Sequence, residues 1–160
     1  MKSARERFSK FLGRVLSRQP ANAKANLLMA LARLGHVLGQ TRYLSASERT
    51  LNLFFPSLSG HPGAFSTLLS VLDESRNPPT VAVLRGSEGG LAEWQSLLRA
   101  EYLPHLLRIA IPSGLGGLPP TLDKPAAETV NAWVCQGVKC LPAISNPEEL
   151  RRVSKHRELV

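Results

Sequence analysis

Asn77-Pro78-Pro79-Thr80-Val81-Ala82-Val83-Leu84 is the stretch at which the chain changes character. Paired prolines cannot continue a helix, and each pushes the residue before it into extended conformations. The run that follows, Thr80 to Leu84, is short, continuously apolar and rich in β-branched residues, the pattern of a strand covered on both faces. Apolar residues recur with helical period before this point, whereas strands and helices alternate after it. The expected fold is therefore mixed α+β. A basic amphipathic segment over 1–19 precedes antiparallel helical hairpins over 20–78, followed by a small α/β segment over 79–160.

Downstream of the break, Gly86 to Gly90 reads as a loop, and Leu91, Trp94, Leu98 and Tyr102 mark the inner face of a helix. Leu106 to Ile111 reads as a second buried strand, which completes a βαβ unit. The proline- and glycine-rich stretch 112–125 reads as an irregular surface loop. Val130 to Cys135 follows as a strand, Gln136-Gly137 as a tight turn, and Lys139 to Ile144 as a short edge strand interrupted by Pro142. Asn146-Pro147-Glu148-Glu149 supplies an N-cap, a proline at the first helical position and acids in the first turn. A last helix to about residue 156 is expected.

Upstream, Leu27, Leu28, Leu31, Ala32, Leu34, Val37 and Leu38 leave only a narrow polar stripe of Asn26, Arg33 and His36 on a helix that Gly39 stops. A helix apolar nearly all round needs cover nearly all round. If about 400 Å² of it faced water, the uncovered hydrophobic free energy would be on the order of 10 kcal/mol. Ser45 with Glu48 has the form of a capping box opening a third helix, which Pro56 ends or kinks. A fourth helix is expected from about Pro62, carrying Phe65, Leu68, Leu69 and Leu72.

The formal charge is +8, but it is unevenly placed. Residues 1–24 hold seven basic groups against one acid, giving +6, and the remaining 13 basic and 11 acidic residues add only +2. Basicity thus belongs to a segment in which Phe8, Phe11, Leu12, Val15 and Leu16 recur at helical spacing. Packing on its own domain is the simplest reading of this helix. Contact with an anionic surface, a targeting role and nucleic-acid binding stand beside it. No specific nucleic-acid site is expected. No apolar run approaches the roughly 18 residues of a membrane span, and with no signal-peptide pattern the expected compartment is the cytoplasm.

Several runs together resemble a known family: Asn77 to Gly86, the helix end Glu101-Tyr102-Leu103-Pro104, Ala132-Trp133-Val134-Cys135 with Cys140 and Pro142, and Pro147-Glu148-Glu149-Leu150. Their order and spacing are similar to the C-terminal end of the thioredoxin-domain-containing proteins related to the spermatogenesis-associated thioredoxin-like protein. The resemblance covers roughly residues 20–153. Members of that family begin with a thioredoxin-like domain and continue into an α/α toroid of helical hairpins similar to six-hairpin glycosidases. The resemblance implies that this chain corresponds to the closing part of such a protein, without the thioredoxin part and most of the toroid. It also implies helix faces made to touch neighbouring hairpins, hence a homo-oligomer or a protein partner covering them. Where the family carries a Pro-Ser-Gly-Asn turn, this chain has Pro20-Ala21-Asn22.

Cys135 and Cys140 are the candidate reactive pair. A turn between two strands can bring them together as reduced cysteines, as a reversible disulfide, or as two ligands of a metal completed by a partner. Four residues separate them, so they are not a thioredoxin-type site, which has two. The loop Gly86-Ser87-Glu88-Gly89-Gly90 sits where phosphate loops sit but matches neither nucleotide fingerprint. His36, His61, His105 and His156 show no metal spacing. Asp73 and Glu74 are adjacent on a helix and so point apart, which does not suit a glycosidase carboxylate pair. Trp94 and Trp133 read as core aromatics. The expectation is a non-catalytic structural or interaction module without a cofactor. The alternative is a redox or sugar-processing-type enzyme module that uses the Cys135/Cys140 dithiol with a separate thioredoxin-like partner.

Overall fold

The computed structural model describes residues 21–156. The basic amphipathic helix expected within 1–19 lies outside the described residues. The fold is mixed α+β, with five α-helices and one four-stranded sheet among the described residues. The helices are α1 (Ala21–Leu38), α2 (Thr41–Gly60), α3 (Ser66–Arg76), α4 (Glu88–Arg99) and α5 (Pro147–Ser154). The strands are β1 (Thr80–Gly86), β2 (Leu106–Pro112), β3 (Asn131–Gln136) and β4 (Lys139–Cys140). Their order is β2-β1-β3-β4. β1 runs parallel to β2 through the α4 crossover, antiparallel to β3, and β3 antiparallel to β4.

All seven residues of β1 are buried, the apolar run 80–84 as its pattern requires and Arg85 with it. Alternate side chains serve opposite faces. Ala82 and Leu84 join Leu91, Trp94 and Leu98 of α4 and Leu150 of α5 in one core cluster. Val81 and Val83 join Ile111 and Leu122 in another, against which Val37 and Leu38 at the end of α1 pack. A third cluster, Ala25, Leu28, Leu51, Leu58, Leu68 and Val71, unites α1, α2 and α3. α1 therefore belongs to both halves: most of its length closes the helical core and its last turn covers the sheet. The apolar face that the sequence shows on α1 is met by the chain's own α2, α3 and sheet. The large apolar side chains left exposed are Leu34 on α1, Leu53 and Phe55 of α2, Leu69 of α3 and, outside the helices, Tyr102, Leu115 and Val138.

Four local expectations are corrected. First, the Ser45/Glu48 capping box does not open a helix, because α2 already begins at Thr41. Gln40 N–H donates to Gly35 O at 2.9 Å, so the α1–α2 turn is short and draws residues 41–44 into the helix. Second, α2 runs through Pro56 to Gly60. The hydrogen bond that proline deletes would fall on the Asn52 carbonyl, and both residues are exposed, so water can take the carbonyl. Third, Pro62–Ala64 is a 3₁₀ turn and the fourth predicted helix starts only at Ser66. Further on, Tyr102 lies beyond the end of α4 and is 90% exposed, so it is not part of that helix's inner face.

The last helix starts as its sequence dictates, with Asn146 Oδ1 accepting from Glu148 N at 2.8 Å and from Glu149 N at 3.4 Å. Among the described residues no helix is long and apolar enough to cross a membrane.

Candidate functional site

β3 and β4 form a hairpin with the two-residue loop Gly137-Val138. Gly137 has φ +60° and among the described residues no non-glycine residue has positive φ, so the turn needs glycine at its first central position and tolerates valine at the second. This register sets Cys135 directly opposite Cys140 with Cα atoms 4.0 Å apart, and the two are joined as a disulfide. Cys135 also pairs with Val81 of β1, which puts it on the sheet face that carries Val83 and Leu122.

Exposure rises toward the tip. Cys135 is half-buried, whereas Lys139, Cys140 and Val138 are exposed. β4 is an edge strand of two residues. Beyond it Leu141 N–H donates to Val134 O at 2.9 Å, and Ala132 and Ile144 exchange backbone hydrogen bonds of 2.9 and 2.8 Å. The chain on both sides of the disulfide is thus held by backbone pairing. Lys124, from the loop after β2, brings Nζ to 3.9 Å from Cys140 Sγ. An ammonium at that position favours the thiolate whenever the bond is open.

The other sequence candidates are scattered. His36 is half-buried near the Arg33–Glu74 pair, and burial lowers its pKa while the Glu74 charge acts the other way. His105 Nε2 lies 3.0 Å from Ser154 O, which ties β2 to α5. Among the described residues no three His, Cys, Asp or Glu side chains gather at metal-binding distance. Glu74 is buried against Arg33, with Nη2–Oε1 2.6 Å and Nε–Oε1 3.1 Å, while Asp73 is exposed and accepts from Asn77 Nδ2 at 2.8 Å. The two carboxylates serve different contacts and do not converge. Gly86 and Gly90 work by close packing, because a Cβ on either would come within 2.7 Å of Val130 Cγ2. Trp94 is a core residue and Trp133 is half-buried, paired with Val83.

No protein-family model matches the chain, and none of the curated proteins or solved structures compared with it is significantly similar.

Two residues that sequence reasoning passed over stand out: Lys124 beside the hairpin, and Arg85 at the far end of β1, where it pairs with Asn131. Lys124 gave no signal within its proline-rich loop. Arg85 did give one: a strand read as buried on both faces ends in a permanent charge.

Proposed function

We propose that the chain is an interaction module, similar to the closing segment of the thioredoxin-domain-containing proteins, whose point of exchange is the Cys135–Cys140 hairpin. In this reading the chain is the redox partner of a separate thioredoxin-like dithiol protein and carries no catalysis of its own. The supporting observation is the cross-strand disulfide on an exposed hairpin, with Lys124 Nζ 3.9 Å from its outer sulfur.

A structural role for this bond is small. It closes a loop of only five residues' separation, which by chain entropy contributes about 2 kcal/mol. Backbone pairing already holds the hairpin on both sides, so the reduced form stays folded and both redox states are usable. Exchange proceeds in two steps. A partner thiolate attacks Cys140 Sγ, the exposed sulfur, to form a mixed disulfide, and Cys135 leaves as a thiolate and takes up a proton. The partner's second thiolate then attacks its own sulfur in that mixed disulfide, and Cys140 leaves as a thiolate beside Lys124. In sum, the chain's disulfide is reduced to a dithiol and the partner's dithiol is oxidised to a disulfide. In a reducing compartment the hairpin rests as the dithiol and the same steps run backwards on oxidation.

The test is alkylation with mass readout. The air-oxidised chain is expected to take up no alkyl groups, and two after incubation with a reduced thioredoxin-like dithiol protein. A partner variant lacking its second cysteine is expected to be trapped on Cys140. Two reactive thiols persisting after treatment with glutathione disulfide would remove this reading.

A second reading rests on Leu53, which is 79% exposed. It lies two positions beyond buried Leu51, about 200° round the helix, so it points away from the chain's own core. A helical neighbour, in the manner of a toroid hairpin or as a second copy, would cover it. Sedimentation that shows concentration-dependent association, lost in Leu53→Glu, supports this, and a monomer at all concentrations ends it.

A further inference from the structure

Arg85 is the last but one residue of β1 and is only 3% exposed. Its Nη2 donates to Ser113 O at 3.3 Å and Leu115 O at 3.2 Å. Nε and Nη1 are buried and have no partner. None of the ion pairs among the described residues involves it. A buried guanidinium without a counter-charge is costly, because two carbonyl dipoles replace only part of its hydration. Charges so placed are ordinarily paired or await a charged ligand.

Arg85 forms part of the wall of a cleft of about 500 Å³, together with Ser113, Leu115, Asp123 and Lys124. That volume is in the range of small-molecule sites. Lys124 adds a second cation and Asp123 a single acid, so the lining carries a net positive charge. Gly114 and Gly116 also line it, and the space where their side chains would stand is open. The cleft lies at the carboxyl end of β1, beside the parallel strand β2, the edge at which open α/β sheets commonly take ligands.

We infer that this cleft is a binding site for a small oxyanion-bearing ligand, a phosphate monoester or an organic carboxylate, held by the Arg85 guanidinium with Lys124 as second cation. Nε and Nη1 hold three unengaged N–H groups, and a charge-assisted hydrogen bond from either nitrogen to an oxyanion is stronger than one to a neutral carbonyl. Nη2 is engaged by two carbonyls of the turn at 113–116 and the other two nitrogens are buried, so a ligand reaches the guanidinium only by displacing atoms that cover it. Asp123 selects against ligands with high negative charge. The site does not use the cysteines; Lys124 serves both readings, whereas Arg85 belongs to this one alone.

The experiment is a thermal-shift and calorimetric titration of the whole chain with inorganic phosphate, glycerol phosphate and acetate, each against sodium chloride at matched ionic strength. Saturable binding by phosphate compounds identifies a phosphate site, and saturable binding by acetate a carboxylate site. Arg85→Lys keeps the charge but loses the guanidinium's additional donors and is expected to weaken binding about tenfold or more. Lys124→Ser lies on the loop, leaves β1 intact and is expected to weaken it as well. Equal stabilisation by chloride, or undiminished binding in Lys124→Ser and Arg85→Lys, would overturn the inference.

Discussion

Arg33 and Glu74 show what a single side chain contributes here. They are 41 positions apart, yet the guanidinium meets the carboxylate through both Nε and Nη2, joining α1 to α3. Glu74 is the more buried partner, its side chain 10% exposed against 42% for Arg33. Arg33→Met therefore leaves a buried carboxylate without its donors, which is expected to cost about 1–3 kcal/mol in urea unfolding. His36, close by, gives a pH dependence. Burial holds its pKa below the ordinary histidine value, so the folded state binds the proton more weakly than the unfolded chain does. The stability it contributes is complete above about pH 6.5 and falls as the pH drops toward the lowered folded value. Urea midpoints measured between pH 7.5 and 5 are expected to decline, and less so in His36→Gln. Glu101 adds to the decline at lower pH, since hydrogen bonds from Arg151 and Lys155 hold its carboxyl below the ordinary range.

At the scale of the element, the clearest local rule is obeyed at α5 and overridden at α2. Asn146 caps α5 through two backbone amides, and Pro147 and the acids Glu148 and Glu149 follow as a helix start demands. Asn146→Ala is expected to destabilise the protein by about 1 kcal/mol, read as a lowered thermal midpoint with unchanged helix content at low temperature. At α2 the capping-box residues lie inside the helix, and Ser47 donates to Leu28 O at 3.1 Å, a contact with α1. A cap contributes about as much as one such tertiary hydrogen bond. Packing of α2 against α1 adds apolar burial on top, and the local signal loses.

For the molecule as a whole, α1 is the link. Its buried residues Ala25 and Leu28 lie in the helical cluster, and Val37 and Leu38 pack on Val81, Val83, Ile111 and Leu122. Thr121 Oγ1 also donates to Val37 O at 2.9 Å, which ties the loop after β2 to the same helix end. Both tryptophans lie in the α/β half and three of the five helices among the described residues in the other. Tryptophan fluorescence and helical circular dichroism are therefore expected to report one coincident unfolding transition. Two separated transitions would mean that the segments 20–78 and 79–160 fold as independent units.

Sequence alone determined the identity of nearly every element: the change of period after Pro79, the buried β1, the βαβ order, the cap at Asn146 and a tight turn containing Gly137, which the structure places one residue later, at Gly137-Val138. These follow from torsional preferences and periodicities written within a few neighbouring residues. Tertiary structure decided the rest. It carried α2 through Pro56 and gave α1 its cover. It closed Cys135 onto Cys140, a pair whose alternatives the sequence left open, and set Lys124 beside them. It also buried Arg85 behind the turn at 113–116. Each of these depends on which distant segments the strand order β2-β1-β3-β4 brings side by side, and no local preference encodes that.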